Sequence, residues 1–230
     1  MTPIAFVAIR TQGPDPDSDD LLEIAVARAE PHDAQPTDVY TARVRSLHGG
    51  RRHHGDSAVW FVEAMDHVRA LTRGCVLAAW DAGATRSFLD SACYHWELLP
   101  LQLAPKSIDL RSLAWPVAVA GDSVGDGLED VCASLRVDFA PGTCALEDIR
   151  ALAEIYRRVV KHASSLAGFN ADERSIIDTI ASRIAEGRRT YGPWRVDDGR
   201  DNPREALAEV MDALNYCAAE LVRLSKGGVA

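Results

Sequence analysis

The order in which hydrophobic period changes along this chain is its strongest constraint on fold. Three runs near the N-terminus, residues 3–11, 21–29 and 39–44, are rich in β-branched and apolar side chains. They are cut apart by Gly13-Pro14-Asp15-Pro16-Asp17 and by a second break from Pro31 to Pro36. That pattern predicts three antiparallel strands, the first two forming a hairpin and the third alternating so that one face meets water. From residue 58 the period becomes helical. Residues 58–71, 85–98, 110–115, 128–135 and 145–160 each gather apolar side chains on one face, and residues 75–80 read as a short buried strand between the first two helices. Strands first and helices afterwards predict an α/β sandwich.

A compositional change over residues 161–169 (KHASSLAGF) predicts a linker, which divides the chain into residues 1–162 and 170–226. Two helices follow, 171–189 and 203–224, the second with Pro203 in its first turn and Asp201 or Asn202 as its cap. This helical hairpin is too small to hold much core alone, so it is expected to pack on the first domain, on a protein partner or on a second copy of itself. With 34 acidic residues against 25 basic ones, the net charge of -9 excludes a protein that wraps duplex DNA through a broad cationic face. It leaves room only for weak nucleic-acid or nucleotide binding. The five cysteines are odd in number, widely spaced and set among apolar residues, which fits buried free thiols in a reducing compartment. The N-terminal residues lack a charged leader, and no stretch approaches the ~18 apolar residues of a membrane span, so a cytoplasmic protein without a membrane partner is expected.

Four phrases carry a family resemblance: AFVAIRTQG, VLAAWDAGATRSFL, SIDLRSLAW and GLEDVCASLRVDFAPGTCALEDIRALAEIYRRV. In order and wording they resemble the DEDDh 3′–5′ exonucleases, the group of the proofreading subunits and RNase T, over roughly residues 1–160. The resemblance implies an RNase H-like exonuclease fold, a mixed sheet flanked by helices. It also implies hydrolysis of a terminal phosphodiester by two metal ions held on carboxylates, since hard divalent cations need several oxygen ligands. The ligand positions are almost empty of carboxylates. The Asp and Glu of the first motif fall on Ala8 and Arg10, the next Asp falls on Thr85, and the general-base His falls on Thr143; Asp148 alone keeps the family's acid. One carboxylate cannot hold two cations, and Arg10 puts positive charge where metal charge belongs. The resemblance therefore implies a pseudo-nuclease, with no cofactor in this domain, acting as a nucleic-acid-binding or assembly module. Arg10 is expected to pair with Asp148 or to meet a phosphate. A shifted alignment that regroups Asp81, Glu147 and Asp148 or Glu23 into an active exonuclease site stays open beside it.

Other clusters allow further readings. LHGGRRHHGD holds Arg51, Arg52 and His53 in the densest basic stretch of an acidic chain, either a solvated loop or an edge for nucleic acid. Asp109, just before a helix, reads as a cap, and Trp60, Trp80 and Trp96 as core residues. In the last helix Glu205, Glu209 and Asp212 share a face and could present oxygens to one Mg²⁺. That stretch is similar to the metal-binding helix of the MazG-like nucleotide pyrophosphohydrolases, although Glu173, Asp178 and Glu186 do not form that family's close acidic pair. The alternative is an acidic solvated face held by arginines.

Overall fold

The computed structural model describes residues 2–32, 34–45, 57–120, 125, 127–192 and 202–227. Its central strand buries its first five residues completely or nearly so. β1 (Ile4–Thr11) pairs antiparallel with β2 (Leu21–Ala29), which pairs antiparallel with β3 (Pro36–Arg43). On its other side β1 pairs parallel with β4 (Val76–Ala79), and β4 pairs parallel with β5 (Ser107–Asp109). The sheet order is β3-β2-β1-β4-β5. Parallel neighbours need a crossover, supplied by α1 (Phe61–Thr72) between β3 and β4 and by α2 (Ala82–His95) between β4 and β5.

Period-two alternation along β1 sorts its side chains to two cores. Ala5 and Val7 meet Phe61, Met65 and Val68 of α1 and Leu89 of α2 on one face. Ile4, Phe6 and Ala8 meet Ile149, Leu152 and Tyr156 of α5 (Ala145–Ala167) on the other, with the Phe6 and Tyr156 rings edge to face at 5.7 Å. A third cluster joins α3 (Leu110–Ala120) and α4 (Leu128–Leu135) to α5 through Ala114, Val131 and Ile155. The mixed sheet flanked by helices agrees with the expectation from sequence.

Several local expectations shift. β5 was not legible as a strand: it is three residues long, and Ile108 between Ser107 and Asp109 offers no run of alternation to read. α2 begins three residues earlier than its apolar spacing suggests, because the Asp81 carboxylate accepts from the Ala84 N–H at 2.8 Å and caps it there. α3 continues through Pro116, where the sequence reading stopped. α5 runs on to Ala167, so residues 161–167 are helix, not linker, and the chain breaks at Gly168 to Asn170. The structure has two compact units, Met1–Gly168 and Phe169–Ala230. In the second unit, α6 (Ala171–Tyr191) opens on a capping box in which Asn170 Oδ1 accepts from the Glu173 N–H at 3.0 Å and Glu173 Oε2 from the Asn170 N–H at 2.8 Å. α7 spans Asn202–Gly227.

Cys75, Cys93 and Cys132 are buried and free as expected, whereas Cys144 is half-buried and Cys217 exposed on α7. Trp80 and Trp96 are half-buried, but Trp60 is nearly half exposed, with the Arg45 guanidinium 5.0 Å above its ring. Among the described residues, no helix is long and apolar enough to cross a membrane.

Candidate functional site

Because side chains alternate along β1, Arg10 follows Ile4, Phe6 and Ala8 onto the face covered by α5. There it meets Asp148, in the first turn of α5, where the helix dipole favours a carboxylate. Arg10 Nη2 donates to Oδ2 at 3.0 Å and Oδ1 at 3.2 Å, and Nε donates to Oδ2 at 3.3 Å. Glu23, the register partner of Arg10 on β2, closes a second ion pair at 3.7 Å. One guanidinium thus serves two carboxylates, and a forked, charge-assisted contact of this kind fixes both groups. Burial pushes the Asp148 carboxyl above the usual range; Arg10 pulls it down, but Glu23 and Glu147 add to the upward push and the net shift is upward. Burial, with the Asp148 charge adding to it, also pushes the nearby Cys132 thiol up to about 11, which keeps it protonated and unreactive.

An open cleft of about 350 Å³ lies beside this pair. Ala8, Trp80, Thr85, Leu128, Phe139 and Asp148 are among its lining residues. Three of the positions that the resemblance singled out, 8, 85 and 148, therefore border one space, and the fourth, 10, is bonded to 148. Thr143 is not among the lining residues; it is exposed, its hydroxyl donating to the Ala140 carbonyl at 2.9 Å. Asp109 is a cap, as expected, and more: Oδ1 accepts from the Ser112 N–H at 2.8 Å and Oδ2 from the Ala82 N–H at 3.0 Å, which ties the start of α3 to the start of α2. Burial works against the Asp109 charge, but these hydrogen bonds and Arg111 hold its carboxyl below the usual range.

Sequence reasoning missed Leu128 and Phe139 as cleft residues. Leu128 opens α4 and Phe139 follows that helix; both lie within the fourth resembling phrase but at none of its ligand positions, and only the packing of α4 against α3 and α5 brings this region to the sheet. Arg51, Arg52 and His53 lie outside the described residues. On α7, Glu209 and Asp212 are exposed, and Glu205 lies in the same helix.

No protein-family model and no curated protein sequence matches this chain. Solved structures do. The nuclease domain of 3′hExo, a DEDDh family member crystallised with rAMP, is similar at 17% identity and a TM-score of 0.54, over 70% of this chain and 92% of that one. A full-length 3′-exonuclease is similar at 18% identity and TM-score 0.56, over 70% and 82%. Exonuclease I, in complex with an inhibitor, is similar at 10% identity and TM-score 0.57; there the match spans 72% of this chain but only 42% of the other. The fold is that of the RNase H-like exonucleases. At these identities the likeness is one of architecture.

The fold family implies two divalent cations held on carboxylates, so the four positions that the resemblance assigns to their ligands are the ones to compare. Asp148 is the sole carboxylate among the four positions, and the Arg10 fork engages both of its oxygens. The carboxylates of the regrouped set are engaged by other partners: Asp81 caps α2, Glu147 pairs with Arg150, and Glu23 pairs with Arg10 beside Asp148. Among the described residues, no group of three or more His, Cys, Asp or Glu is placed to hold a metal ion.

Proposed function

We propose that this chain keeps the exonuclease scaffold without phosphodiester hydrolysis and serves as a nucleic-acid-binding or assembly module. The observation that carries this reading is the Arg10–Asp148 fork. A fixed guanidinium supplies the positive charge that metal ions supply in a working exonuclease, but it cannot lower the pKa of a bound water as a divalent cation does, nor clamp the attacking and leaving oxygens together. Its charge is also already matched by Asp148 and Glu23, so the site holds no surplus to draw a phosphate in. What remains is a cleft with Trp80 and Phe139 on its walls, suited to stacking a base more than to gripping a backbone. The 3′hExo nuclease domain was crystallised with rAMP, which makes AMP and single-stranded RNA the first ligands to titrate.

The test is direct. Purified protein with Mg²⁺ or Mn²⁺ leaves end-labelled single-stranded DNA and RNA at full length; a ladder of shortened products that disappears in Asp148→Ala overturns the reading. A second reading, a Mg²⁺-dependent nucleotide pyrophosphohydrolase on α7, is supported only by Glu209 and Asp212 being exposed about one turn apart. Pyrophosphate release from nucleoside triphosphates, lost in Glu209→Gln, would establish it.

A further inference from the structure

The second unit presents apolar faces that nothing within it covers. On α6, Ile176, Ile180 and Ile184 recur at helical spacing, and all three are more than half exposed. On α7 the same holds for Val210, Leu214 and Leu221. Most helical stability in proteins comes from burying the apolar stripe, and on these two helices the described stripe is bare. We infer that the second unit is a self-association module, in which the apolar faces of α6 and α7 are covered by the same faces of a second copy of this chain. This deepens the assembly half of the reading above, and its test reads mass alone, so the two stand or fall apart.

Three observations select a second copy as the occupant. The first is spacing. Leu207, Val210, Leu214, Cys217, Leu221 and Leu224 recur at alternating intervals of three and four, an uninterrupted run of the two seam positions of a heptad. Such a seam fits another helix of like pattern better than a sheet or a globular face.

The second is area. Met211, Tyr216 and Val222 are also more than half exposed, which with the six above brings the exposed large hydrophobic side chains to nine among the described residues of the two helices. At about 100 Å² each they offer about 900 Å², comparable to one partner's share of an ordinary stable interface.

The third is charge. α6 carries as many acidic as basic side chains, so two copies related by a two-fold axis meet without net repulsion and can pair opposite charges across the axis. A nucleic acid finds no cationic surplus on that helix. Helical spacing also turns Glu209 and Asp212 away from the Val210, Leu214 and Leu221 stripe, so association buries no unpaired carboxylate there.

Light scattering on the full chain eluting from a sizing column tests this. At about 100 µM, wild type is expected at twice the 25.0 kDa chain mass. The double variant Ile180→Glu, Leu214→Glu is expected at the single-chain mass with the near-UV signal of the first unit unchanged. Ala219→Glu, on the polar side of α7, is expected to stay at the double mass. Should the double variant precipitate, Leu214→Asn alone is expected to weaken association at least tenfold on dilution. A wild type that elutes at the single-chain mass overturns the inference, and so does a double mass that survives loss of both apolar side chains.

Discussion

Helices α5 and α6 carry the same kind of signal and meet opposite fates. Both are long and amphipathic, and both open on acidic first turns. On α5 the apolar stripe is covered: Ile149, Leu152 and Ile155 are at most 1% exposed against the sheet and its neighbouring helices. On α6, Ile176, Ile180 and Ile184 stand in water. An amphipathic pattern thus declares that a helix needs a partner without saying whose. For α5 the partner is the sheet face made by Ile4, Phe6 and Ala8, fixed by strand alternation; for α6 it lies outside the helix's own unit.

Core truncation gives the sharpest contrast. Phe6 is fully buried on the α5 face, so Phe6→Ala is expected to cost about 4 kcal/mol. Ile184→Ala on α6 should cost well under about 1 kcal/mol in dilute monomer. Urea unfolding monitored on each variant checks both, and equal losses would erase the distinction between the units. Ion pairs come next. Arg10→Ala leaves Asp148 without its fork and is expected to cost about 2 kcal/mol. Arg10→Lys keeps the charge but not the geometry and should recover only part of that loss. In α6 the corresponding pair, Arg183 with Glu186 at 3.2 Å, is largely exposed, and Arg183→Ala is expected to change stability by less than about 0.5 kcal/mol.

The legibility of the chain follows the same divide between local signal and tertiary context. β1 to β4 and most helices were readable because strand and helix periods differ and Pro-Asp-Gly clusters separate them. β5 was not, since three residues carry no period. Arg10 meeting Asp148, one of the two partners expected for it, the other being a phosphate, was readable from the family resemblance, which assigns both positions to one site. Leu128 and Phe139 in the cleft were not, since their place depends on how α4 docks. The end of α5 was misread because small and polar residues in 161–167 resemble a loop in composition while remaining compatible with a helix.

A smaller effect comes from the cap between helices. Asp109→Ala removes the acceptor for the Ser112 and Ala82 N–H groups and is expected to cost about 1 kcal/mol. Thermal melts should show it without any change in the mass of the particle. A loss below the error of the melt would mean that water replaces both bonds freely and that α2 and α3 are held by packing alone.

The smallest effect distinguishes the two carboxylates at this end of the sheet by the sign of their pH dependence. Hydrogen bonds hold Asp109 below its ordinary value despite its burial, so its contribution to folding is present above pH 3.8 and is lost as pH falls through the lower folded-state value. Burial lifts Asp148 above its ordinary value despite Arg10, so its contribution is present below pH 3.8 and is lost as pH rises through the higher folded-state value. The stability of wild type relative to Asp109→Asn should therefore shrink toward acid. Relative to Asp148→Asn it should shrink as pH rises from 3.8. Unfolding free energies of the three proteins across the acid range resolve the two slopes. Slopes of the same sign would mean that the Arg10 fork outweighs burial at Asp148, and the site would then be a strong ion pair with its charge fully retained instead of a carboxylate strained by its surroundings.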